Sequence, residues 1–349
     1  MKTKLFLATP LLALTLASSA SAEFENPRPP AWRGDGCTLY AGFGTDCPGF
    51  TSAFGAPNLP DDPSTTVGFT PTLTQLTPGA IVTSTCNIYN PGLANSFSLS
   101  VPTLAGEDIF EVVLQVRSNG NARDDSSFLL DFGNGPVVPD QFEVLGMAPE
   151  QAEEVFAVWD LRCEPSTIGS VTVAFAASAA NMSLDLVELD VRYRGECGAG
   201  TATCFGDGTG SQCPCGNNGA TGNGCGIPQN AAGANLVGFG SPSVSSQDVS
   251  FEVTGLNAMG APAIVMIRST SLNPAGATFG DGLLCTAGSV VRFGATFGQN
   301  GTACIPYSHG AMAGAGTFYY QGWFRSTPIS FCDTNAAFNL TNAYEVVWP

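Results

Sequence analysis

Residues 197–225 hold five of the chain's twelve cysteines, set among glycine, asparagine and threonine with almost no apolar side chain. Such a stretch has too little to bury, so a fixed conformation has to come from covalent cross-links or a bound metal. Four thiolates at Cys204, Cys213, Cys215 and Cys225 have a spacing that could wrap zinc, and the choice between metal and disulfide turns on compartment. Lys2 and Lys4 precede an apolar run at 5–16, and Ala20-Ser21-Ala22 closes it, the pattern of a signal peptide over 1–22. In an exported chain an even cysteine count reads as a disulfide framework. The candidates are Cys37, Cys47, Cys86, Cys163, Cys197, Cys204, Cys213, Cys215, Cys225, Cys285, Cys304 and Cys332. Cys213 and Cys215 are too close to bond to each other, so each is expected to reach a different partner. Cys37 with Cys47 would close a local loop, and Cys285 with Cys332 is a further expected pair. Cys37, Cys47, Cys86 and Cys163 form an even set of their own in the first part of the chain.

The apolar run at 5–16 is too short to span a bilayer comfortably, and no later stretch approaches the roughly 18 apolar residues of a second candidate span. A mature chain without a membrane span is expected. Both lysines lie in the leader, which leaves ten arginines against 29 acidic residues. That field repels nucleic acid and anionic lipid. With no lysine there is no Schiff-base chemistry, and with His309 as the sole histidine there is no two-histidine metal site. Ser308 is adjacent to His309, but no Gly-x-Ser-x-Gly elbow surrounds any serine, so His309 reads as a surface loop residue.

After a Pro-rich leader at 23–36, residues 36–78 carry the Gly, Pro, Asp and Thr of long loops and short strands. Phe110, Val112, Leu114 and Val116 then alternate with Glu111, Val113, Gln115 and Arg117, and Val171, Val173, Phe175 and Ala177 repeat the period of two. Leu184 and Leu186 start a strand that Leu189, Val191 and Tyr193 continue on the opposite parity, so a β-bulge is expected near Val187. Turn signals at Asn119-Gly120 and Gly133-Asn134-Gly135 punctuate these strands, and 148–154 is the one modest helical candidate. The pattern gives an all-β chain of two antiparallel β-sandwich domains. A jelly-roll-like acidic domain spans 37–195, a Cys/Gly-rich linker 196–230 and a second sandwich 231–349. The first domain resembles bacterial extracellular sandwiches of the carbohydrate-binding or galactose-binding type.

The second part carries a set of motifs: Cys204-Phe-Gly-Asp-Gly-Thr-Gly, Cys213-Pro-Cys215-Gly-Asn-Asn, Cys225, Gly280-Asp-Gly-Leu-Leu-Cys285, Phe338-Asn-Leu-Thr-Asn and Val346-Val-Trp348. Together they resemble a C-terminal module of exported proteins from planctomycete-type bacteria, over about residues 200–349. The resemblance implies a secreted or cell-surface location and a stable terminal module, with no activity attached.

The strand 317–325 is the most informative candidate site. If it is extended, Tyr319, Gln321, Trp323 and Arg325 share a face that mixes flat rings with hydrogen-bonding groups, a surface on which a sugar or peptide could stack. Trp159 and Trp348 read as core. Asn119, Asn121, Asp124 and Asp125 crowd oxygens into one expected hairpin loop, where Ca²⁺ could bind near Asp124, although Arg117 and Arg123 favour a solvated turn. Neighbouring acids such as Glu107 with Asp108 and Glu153 with Glu154 read as a solvated face. The expectation is a non-catalytic extracellular protein that binds a glycan or a protein partner and needs no cofactor. An acidic-residue glycoside hydrolase, or another extracellular hydrolase, is one alternative; a purely structural surface protein is the other.

Overall fold

The computed structural model describes residues 23–34, 37–47, 49–65, 70–102, 108–147, 152–162, 164, 168–194, 199–240, 242–244, 249–306, 314–326, 330–332 and 337–349. All the regular structure among them is strand, and every pairing is antiparallel. The signal-peptide segment 1–22 and His309 lie outside the described residues. So do residues 148–151 of the helical candidate, while its end, Glu153 and Glu154, opens the strand Glu153–Asp160.

Two sheets enclose the first core. One runs Gln141–Met147, Glu153–Asp160, Asp108–Gly120, Met182–Arg194, Thr38–Phe43 and Asp62–Thr65. The other runs Pro136–Val137, Arg123–Asp131, Val171–Ala177, Ser96–Val101, Thr72–Gln75 and Pro57–Asn58. Val112, Leu114 and Val116 of the first meet Phe97, Leu99, Phe128 and Val173 of the second, and Trp159 is fully buried among them. The inward positions at 171–177 alternate as the sequence pattern predicts.

The strand Asp108–Gly120 departs from simple alternation. Its outward residues Val113 and Gln115 are buried too, because residues 23–33 lie across that face of the sheet. The Glu25 and Asn26 amides donate to the Glu154 carboxylate at 2.6 and 2.9 Å, and the Arg28 amide donates to Gln115 Oε1 at 2.9 Å. Trp32 then packs on Val113 and Val158. The Pro-rich leader is therefore a bound strap. Its prolines suit the role, since they extend the chain and remove amide donors that would otherwise need partners.

The expected bulge sits at Asp185, between the pairs Leu184 with Ser118 and Leu186 with Arg117. The extra residue carries a carboxylate that pairs with Arg117 at 3.1 Å. A second shift, between Arg192 and Tyr193, takes Phe110 out of the core face that sequence parity assigns to it. Phe110 turns instead toward Phe239 of the second half, with ring centroids 6.2 Å apart. There Arg162 donates to Ser250 Oγ at 3.0 Å, and Cys304 Sγ lies 3.8 Å from the Arg162 carbonyl oxygen.

In the second half, a sheet ordered Thr201–Thr203, Phe338–Trp348, Gly316–Arg325, Ala263–Ser269 and Val291–Phe297 packs on the three strands Asn235–Phe239, Ser250–Thr254 and Ala303–Pro306. Phe251, Val253, Met266, Tyr320, Phe324 and Trp348 fill the space between. A hairpin of Ser271–Phe279 and Gly282–Ala287 lies against the outer face of the larger sheet. The Cys/Gly-rich stretch, read in sequence as a linker, is built into this half. Gly224 lies so close to the terminal strand that a Cβ on it would sit 2.3 Å from the Leu340 carbonyl oxygen. Asn339 Nδ2 donates to the carbonyls of Cys225 and Gly226 at 3.2 and 3.1 Å.

Four disulfides join Cys47–Cys86, Cys204–Cys285, Cys213–Cys225 and Cys215–Cys332. Cys37 and Cys304 are also disulfide-bonded, and no described cysteine is free. Cys163 and Cys197 lie outside the described residues. Cys213 and Cys215 do take different partners. Two expected pairs are corrected. Cys47 bonds to Cys86 and not to Cys37, because Cys37 leads directly into the sheet strand Thr38–Phe43 while Cys47 lies beyond that strand's far end. Cys285 bonds to Cys204 and not to Cys332, because Cys285 is buried under the terminal strand while Cys332 lies beside the Asp281 turn. Peptide mapping of the unreduced protein should recover these four linkages, and a Cys285–Cys332 peptide would contradict this fold.

Candidate functional site

Gly316–Arg325 forms a strand because it is dense in aromatic residues, which suit a pleated surface covered on both faces. Phe318, Tyr320 and Phe324 face the core, as the parity requires. The four residues expected to make a binding face share the outer side of the sheet but do not act together. Gln321 is completely buried: its Oε1 accepts the Cys285 amide at 3.0 Å, and its Nε2 donates to the carbonyls of Leu283 and Thr341 at 2.8 and 2.7 Å. It fastens the hairpin to the sheet and has nothing left for a ligand. Tyr319 stands opposite Glu345 and hydrogen-bonds to it, with burial and then the Glu345 charge raising its phenol above the ordinary tyrosine range. Tyr319 and Trp323 are four residues apart, about 13 Å along a strand, with the clamped Gln321 between them. A single ring cannot stack on both.

Trp323 belongs instead to a cleft of about 260 Å³ at the edge of the hairpin. Val265 pairs directly across from it, Ile267 and Arg292 pair one step along, and Phe279, Leu284, Val290 and Phe338 complete the wall. Phe338 is 5.8 Å from the Trp323 ring and 4.9 Å from Phe279. On the rim, the Arg325 guanidinium lies 5.7 Å from the Trp323 ring centroid. Sequence parity finds Trp323 and Arg325 but misses the other walls. A signal was present at 264–267, where Ile-Val-Met-Ile is apolar on both faces and so requires cover on both sides of the sheet. The cover is the hairpin, and it stops short of Trp323.

A second cleft, of about 430 Å³, lies in the first half and gathers the carboxylates of Glu23, Asp46, Asp61, Asp62 and Glu188 around Tyr40. Two of these are engaged. Asp61 Oδ2 accepts the Asp46 amide at 2.9 Å, and Glu188 takes Arg33 at 2.8 Å and the Tyr40 hydroxyl at 3.1 Å. Burial, then the charges of Glu188 and Asp62, push the Tyr40 phenol far up. Beneath this cleft Asp190 is almost fully buried against Arg33, with contacts of 2.7 Å from Nε and Nη2. Burial raises the Asp190 carboxyl to about 6; Arg33 pulls it down and Glu188 adds to the rise.

The oxygen-rich segment expected to be a hairpin loop is the crossing from one sheet to the other, since Asp108–Gly120 and Arg123–Asp131 belong to different sheets. Its groups are used by the protein. Asp124 Oδ1 accepts from the Ser126 amide and hydroxyl, Asp125 pairs with Arg123, and Asn121 donates to the Ala180 carbonyl. Among the described residues no group of three or more His, Cys, Asp or Glu is placed to hold a metal ion.

Two tests follow from these geometries. Gln321→Ala would leave the Cys285 amide and two carbonyls without their partner and should cost about 2 kcal/mol of stability, read as a lower denaturation midpoint with an unchanged slope. Because the folded state holds the Asp190 proton more tightly than the unfolded chain does, this residue's contribution to stability is greatest below the ordinary value of 3.8 and declines as pH rises through about 6. Carboxyl-detected NMR should place its midpoint near 6, and a midpoint at or below 3.8 would contradict the account. In comparisons with known proteins, no family model matches this chain and no curated protein does.

Proposed function

We propose that this is an exported, non-catalytic binding protein of a bacterial cell envelope or its surroundings, that it recognises a glycan or a protein partner, and that contact is made through the cleft beside Trp323. The observation that carries the reading is the position of Trp323. Trp32, Trp159 and Trp348 are buried at 4%, 0% and 1% exposure, whereas Trp323 opens onto a concave apolar surface outside the core. Export is supported by the leader-like start and by the disulfides. The resemblance of residues 200–349 to a terminal module of exported bacterial proteins supports the same location.

Between the two partner classes, the lining favours an apolar group. The walls beside Trp323 are mostly apolar, the Gln321 amide is engaged in the fold, and the hydrogen-bonding groups left for a ligand there are the guanidiniums of Arg292 and Arg325. The acidic cleft supports a second reading, a hydrolase working through carboxylates, because Asp46, Asp61, Asp62 and Glu188 converge there. Turnover of chromogenic glycosides that disappears in Asp62→Asn would favour it, and no turnover by the wild type would remove it.

For the binding reading, wild type and Trp323→Ala should be compared on glycan and peptide arrays. Loss of a buried aromatic contact should weaken retention roughly tenfold. Equal retention of the variant by every ligand that holds the wild type would end the proposal.

A further inference from the structure

The charges around the Trp323 cleft narrow what it can take. This chain has an excess of acids, and the arginines of its first half whose side chains are described all face carboxylates. Arg28 pairs with Glu143, Arg33 with Glu188 and Asp190, and Arg117 with Asp185. Arg123 pairs with Glu153, Arg162 with Asp160 and Arg192 with Glu111. The second half has three arginines, of which Arg268 is buried over the Phe318 ring. Arg292 and Arg325 are both exposed, and neither has an ion-pair partner among the described residues. Both stand at the Trp323 cleft, Arg292 in its wall and Arg325 against the Trp323 ring.

Exposed guanidiniums in an acidic protein are drawn toward carboxylates wherever one is in reach. Three of the acids described in this half are engaged elsewhere: Asp281 accepts from Ser330, Phe331 and Cys332, Glu345 from Tyr319, and Asp207 from Thr209 and Gly222. Two cations with no carboxylate partner among the described residues, set beside an apolar hollow, complement a molecule with one apolar part and one anionic group. The hollow, about 260 Å³, is smaller than the usual pocket for a drug-sized molecule and has room for one short chain or one ring.

We infer that the cleft binds a small anionic amphiphile, a carboxylate on an acyl chain or an aromatic ring, with the apolar part against Trp323, Val265 and Phe338 and the carboxylate drawn to the cationic rim, where Arg292 in the wall and Arg325 against the Trp323 ring stand on opposite sides of the hollow. The inference rests on the proposed reading of this cleft as the binding site and adds the ligand's charge and size. It also gives the surrounding field a role. The acidic first half repels anions in general, so selection at this cleft depends on the apolar part entering it.

Trp323 is a built-in reporter, since the other three tryptophans are buried. Titration of the intact mature protein with sodium octanoate and with 1-octanol, followed by tryptophan fluorescence, separates the two contributions. Octanoate should bind about 5-fold more tightly than octanol, and the preference should shrink as salt is raised. In the double variant Arg292→Gln with Arg325→Gln the preference should vanish while octanol binding persists. Both side chains are exposed, and an unchanged circular dichroism spectrum would verify the fold. Equal binding of octanol and octanoate by the wild type would overturn the anion inference and leave the cleft as a site for neutral apolar groups. Binding of neither, with no change in Trp323 fluorescence, would overturn both the inference and the reading on which it rests.

Discussion

Buried amide side chains clasping a glycine-rich segment are what the second half depends on. Residues 204–226 have no strand ladder of their own; turn bonds such as Gly206 N to Asn223 O and Gly219 N to Gly206 O pair part of their backbone, and the rest needs partners from other elements. Asn339 supplies the carbonyls of Cys225 and Gly226, Asn217 reaches Gly226 and Asp281, and Asn342 is fully buried against both the amide and the carbonyl of Leu236. Disulfides then hold the segment at Cys204, Cys213, Cys215 and Cys225. Close approach explains the composition: a Cβ on Gly206 would lie 2.3 Å from the Cys225 amide nitrogen. A larger residue there would push the segment off the amides that satisfy it.

The same clasp makes the cleft. Gln321 and the Cys204–Cys285 bond hold the hairpin 271–287 over the middle of the sheet's outer face, and the Asp281 carboxylate ties its tip to Ser330, Phe331 and Cys332. Held at these points, the hairpin cannot slide to cover Trp323. A surface that would ordinarily be buried is left as a hollow lined by its own strand neighbours. Since Gln321 is both a structural anchor and the residue beside Trp323, the site's shape is coupled to the stability of the whole half.

The first half solves a different problem. Its larger sheet has an apolar outer face at Val113 and Val158, which residues 23–33 cover through contacts to side chains that are more than a hundred positions away for Glu154. Arg33 then buries Asp190, and the carboxylates not used this way collect in the cleft around Tyr40. Toward the second half, Phe110 leaves its own core and meets Phe239, while Arg162 bridges to Ser250.

Period-two alternation was enough to read an all-β chain from sequence, because a strand's side chains must point to opposite faces. It was also enough to locate the bulge within two residues, since the parity of Leu184 and Leu189 cannot be reconciled without an extra residue, while the general tendency of large aromatics to be buried placed Trp159 and Trp348 in the cores. Parity misplaced Phe110 because Phe110 is itself the extra residue, lying between Ile109 and Glu111, which pair with the consecutive Tyr193 and Arg192 of the neighbouring strand. It grouped Tyr319, Gln321, Trp323 and Arg325 correctly on one face, yet it could not say that a hairpin closes over Gln321, because that depends on residues about 40 positions away. Composition and local pattern thus determined the strand class, the even set of cysteines and the inward faces, all of which depend on near neighbours. The cysteine pairs, the strap across the outer sheet and the cleft beside Trp323 were decided by tertiary structure, because each depends on which distant backbone groups come to lie within hydrogen-bonding reach.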